Sequence, residues 1–104
     1  MKSSGPAEWW VAAQALEAEG NIEEAVDLVG RSCDFQGAIL SQAELWARTM
    51  RKRMEAGDRE GAKHAWQKAR DYAYAYAASA TSGGEGTALS NERDQFLAQL
   101  GAEP

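Results

Sequence analysis

Few side chains in this chain of 104 residues could carry out catalysis. His64 is the only histidine and Cys33 the only cysteine, and neither stands at a recognisable spacing from the other members of a catalytic set. A single cysteine cannot form an intrachain disulfide or a cysteine zinc cluster. We therefore expect His64 to be a surface or partly packed side chain, Cys33 to be a small apolar filler near a helix end, and the protein not to be an enzyme.

Two further patterns could bind an ion or a cofactor. Glu23 and Asp27 stand four residues apart, which places both carboxylates on one helix face, but an exposed acidic face has the same spacing. Residues 81–86 are rich in glycine, yet they lack the spacing of a P-loop and the Lys-Ser or Lys-Thr that follows one. We expect no metal ion and no cofactor, and we interpret residues 81–86 as a flexible connector between helices.

The charge distribution limits the classes of partner. A net charge of -5 argues against nucleic-acid binding, which needs an excess of basic side chains on one surface. Nine of the eleven basic residues lie within residues 31–70, so a basic middle is flanked by acidic ends, although solvated helix faces produce such patterns too. No apolar run approaches the roughly twenty residues of a membrane span, and the start of the chain lacks the features of a signal peptide. We expect a cytoplasmic protein with no membrane association.

A pattern centred on glycine occurs twice and must position these side chains. Trp46 stands eleven residues before Gly57, and alanine or tryptophan follows that glycine at plus five, plus nine and plus twelve. The upstream copy has the same offsets around Gly20, thirty-seven residues earlier. The paired positions are Trp9 and Trp46, Ala25 and Ala62, Val29 and Trp66, and Ser32 and Ala69. Two helices joined by a Gly-Asn or Gly-Asp turn, repeated once, are typical of a helical-hairpin repeat.

Apolar periodicity predicts five helices, at about residues 7–19, 22–33, 34–56, from 59 towards 82, and 87–100. The third helix could instead begin at Ser41, which with Glu44 matches a capping box; we prefer the longer helix because its apolar stripe begins earlier. Trp10 is displaced by about 100° from the stripe of Trp9 and is expected to be the most exposed tryptophan. The predicted core residues are Trp9, Leu16, Val26, Trp46, Ala62, Trp66 and Ala69.

The end of the chain is expected to cover the last hairpin, because two hairpins are fewer than such stacks usually need. Leu89, Phe96, Leu97 and Leu100 would form the apolar side of a capping helix that packs near Tyr72 and Tyr76. The predicted organisation is a flexible tail at residues 1–6, a single helical-repeat domain at residues 7–100, and a short tail at residues 101–104.

The repeated residues resemble the tetratricopeptide family, in which an aromatic-bearing first helix, a Gly-Asp turn and an alanine-rich second helix recur. The resemblance departs from the family at Thr49 and Met50, and at Ala12 and Ala13, where a Leu-Gly pair is usual. The spacing also exceeds the family's thirty-four residues. The resemblance implies an all-α fold of two tetratricopeptide-like hairpins plus a C-terminal capping helix.

The same resemblance implies a protein- or peptide-binding module whose groove is lined by the first helices of the two hairpins. The groove residues would be Trp10, Gln14 and Glu17 in one helix and Arg48, Arg51 and Glu55 in the other. Arg48 and Arg51 are neighbours on one helix face and could hold a carboxylate of the partner, with Trp10 as an apolar anchor. We expect a monomer or a weak homodimer.

A second functional class is a small acidic inhibitor or immunity-type protein that blocks a basic enzyme. The acidic side chains that would face the enzyme are Glu17, Glu19, Glu23, Glu24 and Asp27. Salt dependence of association separates the two classes, because charge-steered association slows steeply with added salt.

Overall fold

The computed structural model describes residues 6–32 and 35–104, and every regular element within them is an α-helix. The helices are α1 (Pro6–Glu19), α2 (Ile22–Ser32), α3 (Phe35–Glu55), α4 (Arg59–Ala78) and α5 (Gly83–Leu100). The all-α prediction is confirmed, and the longer version of the third helix is correct, since α3 begins six residues before Ser41. Cys33 and residues 1–5 of the predicted tail lie outside the described residues.

The two predicted glycine turns have the same geometry. Gly20 and Gly57 have φ of 89° and 80°, a backbone region that disfavours residues with a Cβ. In the first turn, the N–H of Gly20 donates to Glu17 O at 3.1 Å and that of Asn21 to Leu16 O at 2.9 Å. The second turn repeats both bonds at the same offsets, so each glycine ends its helix in a Schellman motif. We call α1 and α2 the first helix pair, and α3 and α4 the second.

The core is shared by the middle helices, because α3 packs against both α2 and α4. The inward side of α2 consists of Ile22, Ala25, Val26 and Val29, which are all buried, and this confirms Val26 as a core residue. The helices α3 and α4 pack against each other, and both bury alanines, whose small side chains allow close approach of two helices. The buried alanines are Ala38, Ala43 and Ala47 in α3 and Ala62, Ala65, Ala69 and Ala73 in α4. The Cα atoms extend over 44 × 39 × 14 Å, and a thickness of 14 Å matches two layers of helices packed about 8–10 Å apart.

The tryptophans of α1 differ from the prediction. Trp10, expected to turn away from the core, is partly buried and packs against the core cluster. Trp9, expected in the core, is partly buried and does not belong to that cluster. The inward side of α1 is centred on Ala13, which is 1% exposed, so the helix is rotated relative to the predicted register. Leu16 and Trp66 from the predicted core are also only partly buried.

The last helix covers α4, as expected, but begins earlier than residue 87. Leu89 and Leu100 are buried, and the hydroxyl of Tyr76 donates to Glu92 at 2.9 Å across the α4–α5 contact. The connector prediction for residues 81–86 is wrong in part, because α5 begins at Gly83. Ser82 caps that helix by accepting from the N–H of Glu85, and this capping bond offsets the weak helix propensity of the glycines.

Among the described residues, no helix is long and apolar enough to cross a membrane.

Candidate functional site

The first helices of the two pairs are joined by an ion pair between Glu17 and Arg48. Arg48 Nε donates to Glu17 Oε2 at 2.9 Å, and its second terminal nitrogen donates to Oε1 at 3.0 Å. This bidentate geometry is the strong form of an arginine–carboxylate contact. The Glu17 side chain is only 10% exposed, whereas that of Arg48 is 47% exposed. Lys52 Nζ lies 4.0 Å from the same carboxylate.

The ion pair favours the charged form of both side chains and shifts the pKa of each accordingly. Hydrogen bonds from Arg48 lower the pKa of Glu17 below its ordinary 4.5, against the opposing effect of burial. The hydrogen bond to Glu17 in turn raises the pKa of Arg48. Arg48 therefore already binds a carboxylate of its own chain. A carboxylate of a partner would have to compete with Glu17 for this guanidinium.

Four of the six predicted groove residues lie together. Trp10, Gln14, Glu17 and Arg48 line one shallow depression between α1 and α3, with Leu45 among the residues at its base. Gln14 is exposed at the rim, while Trp10 forms part of the packed wall and is not a protruding anchor.

The other two predicted groove residues continue along α3 outside this depression. Arg51 and Glu55 are exposed, and neither forms an ion pair with another described residue. The outer face of α1 and α3 (the α1–α3 face) thus combines one internal ion pair with side chains that are free to contact a partner.

A larger cavity lies beside the first glycine turn, between that turn and the helices α3 and α4. We call it the turn cavity; its volume is about 330 Å³. One wall is the first glycine turn and the start of α2, including Glu23 and Glu24, and the other wall is Trp46 and Arg53 of α3 with His64 of α4. Sequence reasoning missed this site, because its walls are separated by more than twenty residues. The equal spacing of the turns is the signal that could have placed them side by side.

Trp46 is the most enclosed residue of the turn cavity. Its side chain is 3% exposed, and the ring of His64 meets it edge to face, with centroids 5.6 Å apart at 84°. The Arg53 guanidinium carbon lies 6.0 Å from the Trp46 ring centroid, and one terminal nitrogen of Arg53 donates to Gly61 O at 3.0 Å. The indole Nε1 of Trp46 is buried and has no acceptor among the described residues.

The acidic surface of the first helix pair is partly used internally. Glu17 is committed to Arg48, and Asp27 pairs with Arg31 at 3.1 Å. Glu19, Glu23 and Glu24 are exposed. No group of three or more histidine, cysteine or acidic residues in the described part of the chain is arranged to hold a metal ion.

Comparison with known proteins leaves the chain without an assigned family. No family model matches it, and neither the curated proteins nor the solved structures contain a significant match.

Proposed function

We propose that this protein is a non-catalytic, tetratricopeptide-like module that binds a protein or peptide on its α1–α3 face. The observation that carries the proposal is the shared depression of Trp10, Gln14, Glu17 and Arg48. Residues 31 or more positions apart come together there because the first helix of each pair faces the same side. A surface built from the first helices is where the sequence resemblance places a binding groove.

The repeated turn supports this architecture. Both helix pairs close through the same Schellman motif, and α2 packs against α3 to place one pair beside the other. Stacked pairs form an extended surface from equivalent helices, which is how helical-repeat proteins bind chains. The helix α5 covers the free side of α4 and acts as the cap of the stack.

The Glu17–Arg48 pair sets the spacing of the two helices, and the exposed side chains beside it contact the partner. Arg51 is the residue that we expect to bind a partner carboxylate, since it stands one helical turn from Arg48 and is exposed. Lys52, also exposed, adds a second positive charge close by. An acidic side chain or a carboxyl terminus fits this part of the face.

The test is partner recovery from the native lysate with a charge reversal at one exposed arginine. Arg51→Glu should remove the recovered partner, while Arg59→Glu should leave it bound, because Arg59 is also exposed but lies at the start of α4. Both variants should keep the helical circular dichroism spectrum. Equal recovery by both variants would place the partner on another surface.

The acidic-inhibitor alternative is favoured by one observation, the exposed carboxylates of Glu19, Glu23 and Glu24 on one helix pair. Association with a basic enzyme through this surface should slow by an order of magnitude or more between low and physiological salt. Binding at the α1–α3 face should change much less. Measuring the association rate of the recovered partner at both salt concentrations decides between the two functions.

A further inference from the structure

The turn cavity carries opposite charges on opposite walls. Glu23 and Glu24 come from the first turn of α2, while Arg53 and His64 come from α3 and α4. None of the four takes part in an ion pair within the described residues. Acidic and basic groups that share a cavity of about 330 Å³ without pairing leave room for a ligand between them.

The charges restrict the ligand. An anion alone would meet Arg53 favourably but would be repelled by Glu23 and Glu24. A cation alone would be attracted by Glu23 and Glu24 but repelled by Arg53. A ligand with a carboxylate and a basic group close together places each charge against a wall of opposite charge. Such a ligand is favoured over one that carries only positive or only negative charge.

The indole of Trp46 points to the same chemistry by an independent route. Buried Trp N–H groups usually have an acceptor, but Nε1 of Trp46 has none among the described residues although the residue lines the cavity. Because Nε1 is buried, an oxygen of a ligand beside the Arg53 guanidinium would supply this acceptor when the indole ring turns towards the cavity.

The shape of the site favours a polypeptide over a free amino acid. A second cavity of about 320 Å³ adjoins the turn cavity and shares Gly20, Ile22 and Arg53 with it. Its walls add Ala18 and Ala56, so the opening continues as a groove past the first glycine turn. Such a groove is longer than one amino acid and suits an extended segment.

We propose that the turn cavity binds a short extended peptide segment in which an acidic and a basic residue are adjacent. The carboxylate lies against Arg53, His64 and the indole N–H of Trp46, and the basic group lies against Glu23 and Glu24. This inference rests on the proposed function, because it assigns a second contact for a peptide partner, at a cavity whose adjoining groove reaches Glu17 and Lys52 of the α1–α3 face.

The test is a titration of ¹⁵N-labelled full-length protein followed by NMR, with the indole N–H signal of Trp46 as the reporter. The signal is assigned by its loss in Trp46→Phe. The probes are four-residue capped peptides with Lys-Glu, Lys-Lys or Glu-Glu at the centre, and free lysine. The Lys-Glu peptide should move the Trp46 signal downfield to saturation and bind at least about threefold more tightly than the single-sign peptides. Equal binding of all three peptides, equally tight binding of free lysine, or an unmoved signal would overturn the proposal.

A matched pair of double variants tests the acidic wall. Glu23→Gln with Glu24→Gln should weaken binding of the Lys-Glu peptide about fivefold, because two exposed ion pairs with the peptide are lost. Glu44→Gln with Glu60→Gln makes the same change of charge at exposed residues outside both cavities and should leave binding unchanged. Equal weakening in both double variants would mean that net charge, not the cavity, attracts the peptide. Failure here leaves the Arg51→Glu result intact, so the two proposals fail separately.

Discussion

The two helix pairs share a turn but differ in how they use the aromatic residue before it. At the turn they are equivalent: both glycines have positive φ, and the alanines five residues later, Ala25 and Ala62, are fully buried. Eleven residues before each glycine they diverge. Trp46 is 3% exposed in the core, whereas Trp9 is only partly buried and lies outside the core cluster.

The cause is the number of neighbouring helices. The second pair's first helix, α3, packs against both α2 and α4, whereas α1 packs mainly against α2. An aromatic side chain at the same offset is therefore enclosed on two sides in one pair and on one side in the other. Sequence equivalence gives equivalent local structure, and position in the stack decides burial.

A second pair of equivalent positions inverts the usual relation between polarity and burial. Glu17 and Met54 both stand three residues before their glycine, yet the Glu17 side chain is 10% exposed and Met54 is 48% exposed. Glu17 faces Arg48 of the next helix pair. Within the described residues, α5 packs against α4, and Met54 of α3 is exposed to solvent.

The largest effect on stability is expected when the tryptophan at the same position of each helix pair is replaced. Trp46→Ala should lower the free energy of unfolding by about 3–5 kcal/mol, because it opens a cavity in the core. Trp9→Ala should cost less than half as much, because that side chain is already partly solvated. Urea unfolding of both variants at one temperature gives the two values. Equal losses would mean that the two pairs enclose their aromatic residues to the same extent.

The contact between the pairs is tested at Glu17. Glu17→Gln should lower the free energy of unfolding at neutral pH by about 2 kcal/mol. This value is the contribution of a charged, bidentate hydrogen-bonded pair, reduced because the Arg48 side chain is 47% exposed to solvent. The same substitution at exposed Glu44 should have little effect.

The pH dependence of that loss follows from the pKa of Glu17, which is lower in the folded chain than its ordinary 4.5. As pH falls, the unfolded chain binds the proton first, so the stabilisation is complete well above pH 4.5 and is lost as pH falls below it. Urea unfolding at a series of pH values should show the wild type and Glu17→Gln converging below pH 4.5. A constant difference down to the lowest pH would show that the ionised form of Glu17 is not what stabilises the contact.

The equivalence of the turns is tested by Gly20→Ala and Gly57→Ala. A Cβ at either position would meet no other atom within 4 Å, so only the positive φ opposes it. Each substitution should cost about 1–2 kcal/mol, and the two costs should agree. Thermal unfolding measures both, and a clear inequality would show that the turns differ despite their shared hydrogen bonds.

The smallest predicted effect distinguishes the two capping residues. Asp58 accepts from the N–H of Gly61 at 2.9 Å, whereas the side-chain amide of Asn21 donates to Glu19 at 3.3 Å. Asp58→Ala should therefore cost about 1 kcal/mol, and Asn21→Ala only a few tenths. The midpoints of urea unfolding resolve this difference, and a larger loss at Asn21 would reverse the assignment of the stronger cap.

The sequence by itself determined the features that depend on neighbours within a few residues. The five helices and the glycine that ends the first helix of each pair rest on local hydrogen bonds, and each was predicted close to its observed position. The start of α5 was missed because the glycine-rich residues 81–86 were interpreted as a connector, whereas the Ser82 cap begins the helix at Gly83.

Only the tertiary structure decided which way each helix face turns and what it meets. The exchange of Trp9 for Trp10 at the core, the Glu17–Arg48 pair and the turn cavity all join residues from different helices. A rotation of one helix about its own axis preserves every one of its internal hydrogen bonds but changes all of these contacts. The angle is set by how the side chains of adjacent helices interlock, which no single helix encodes.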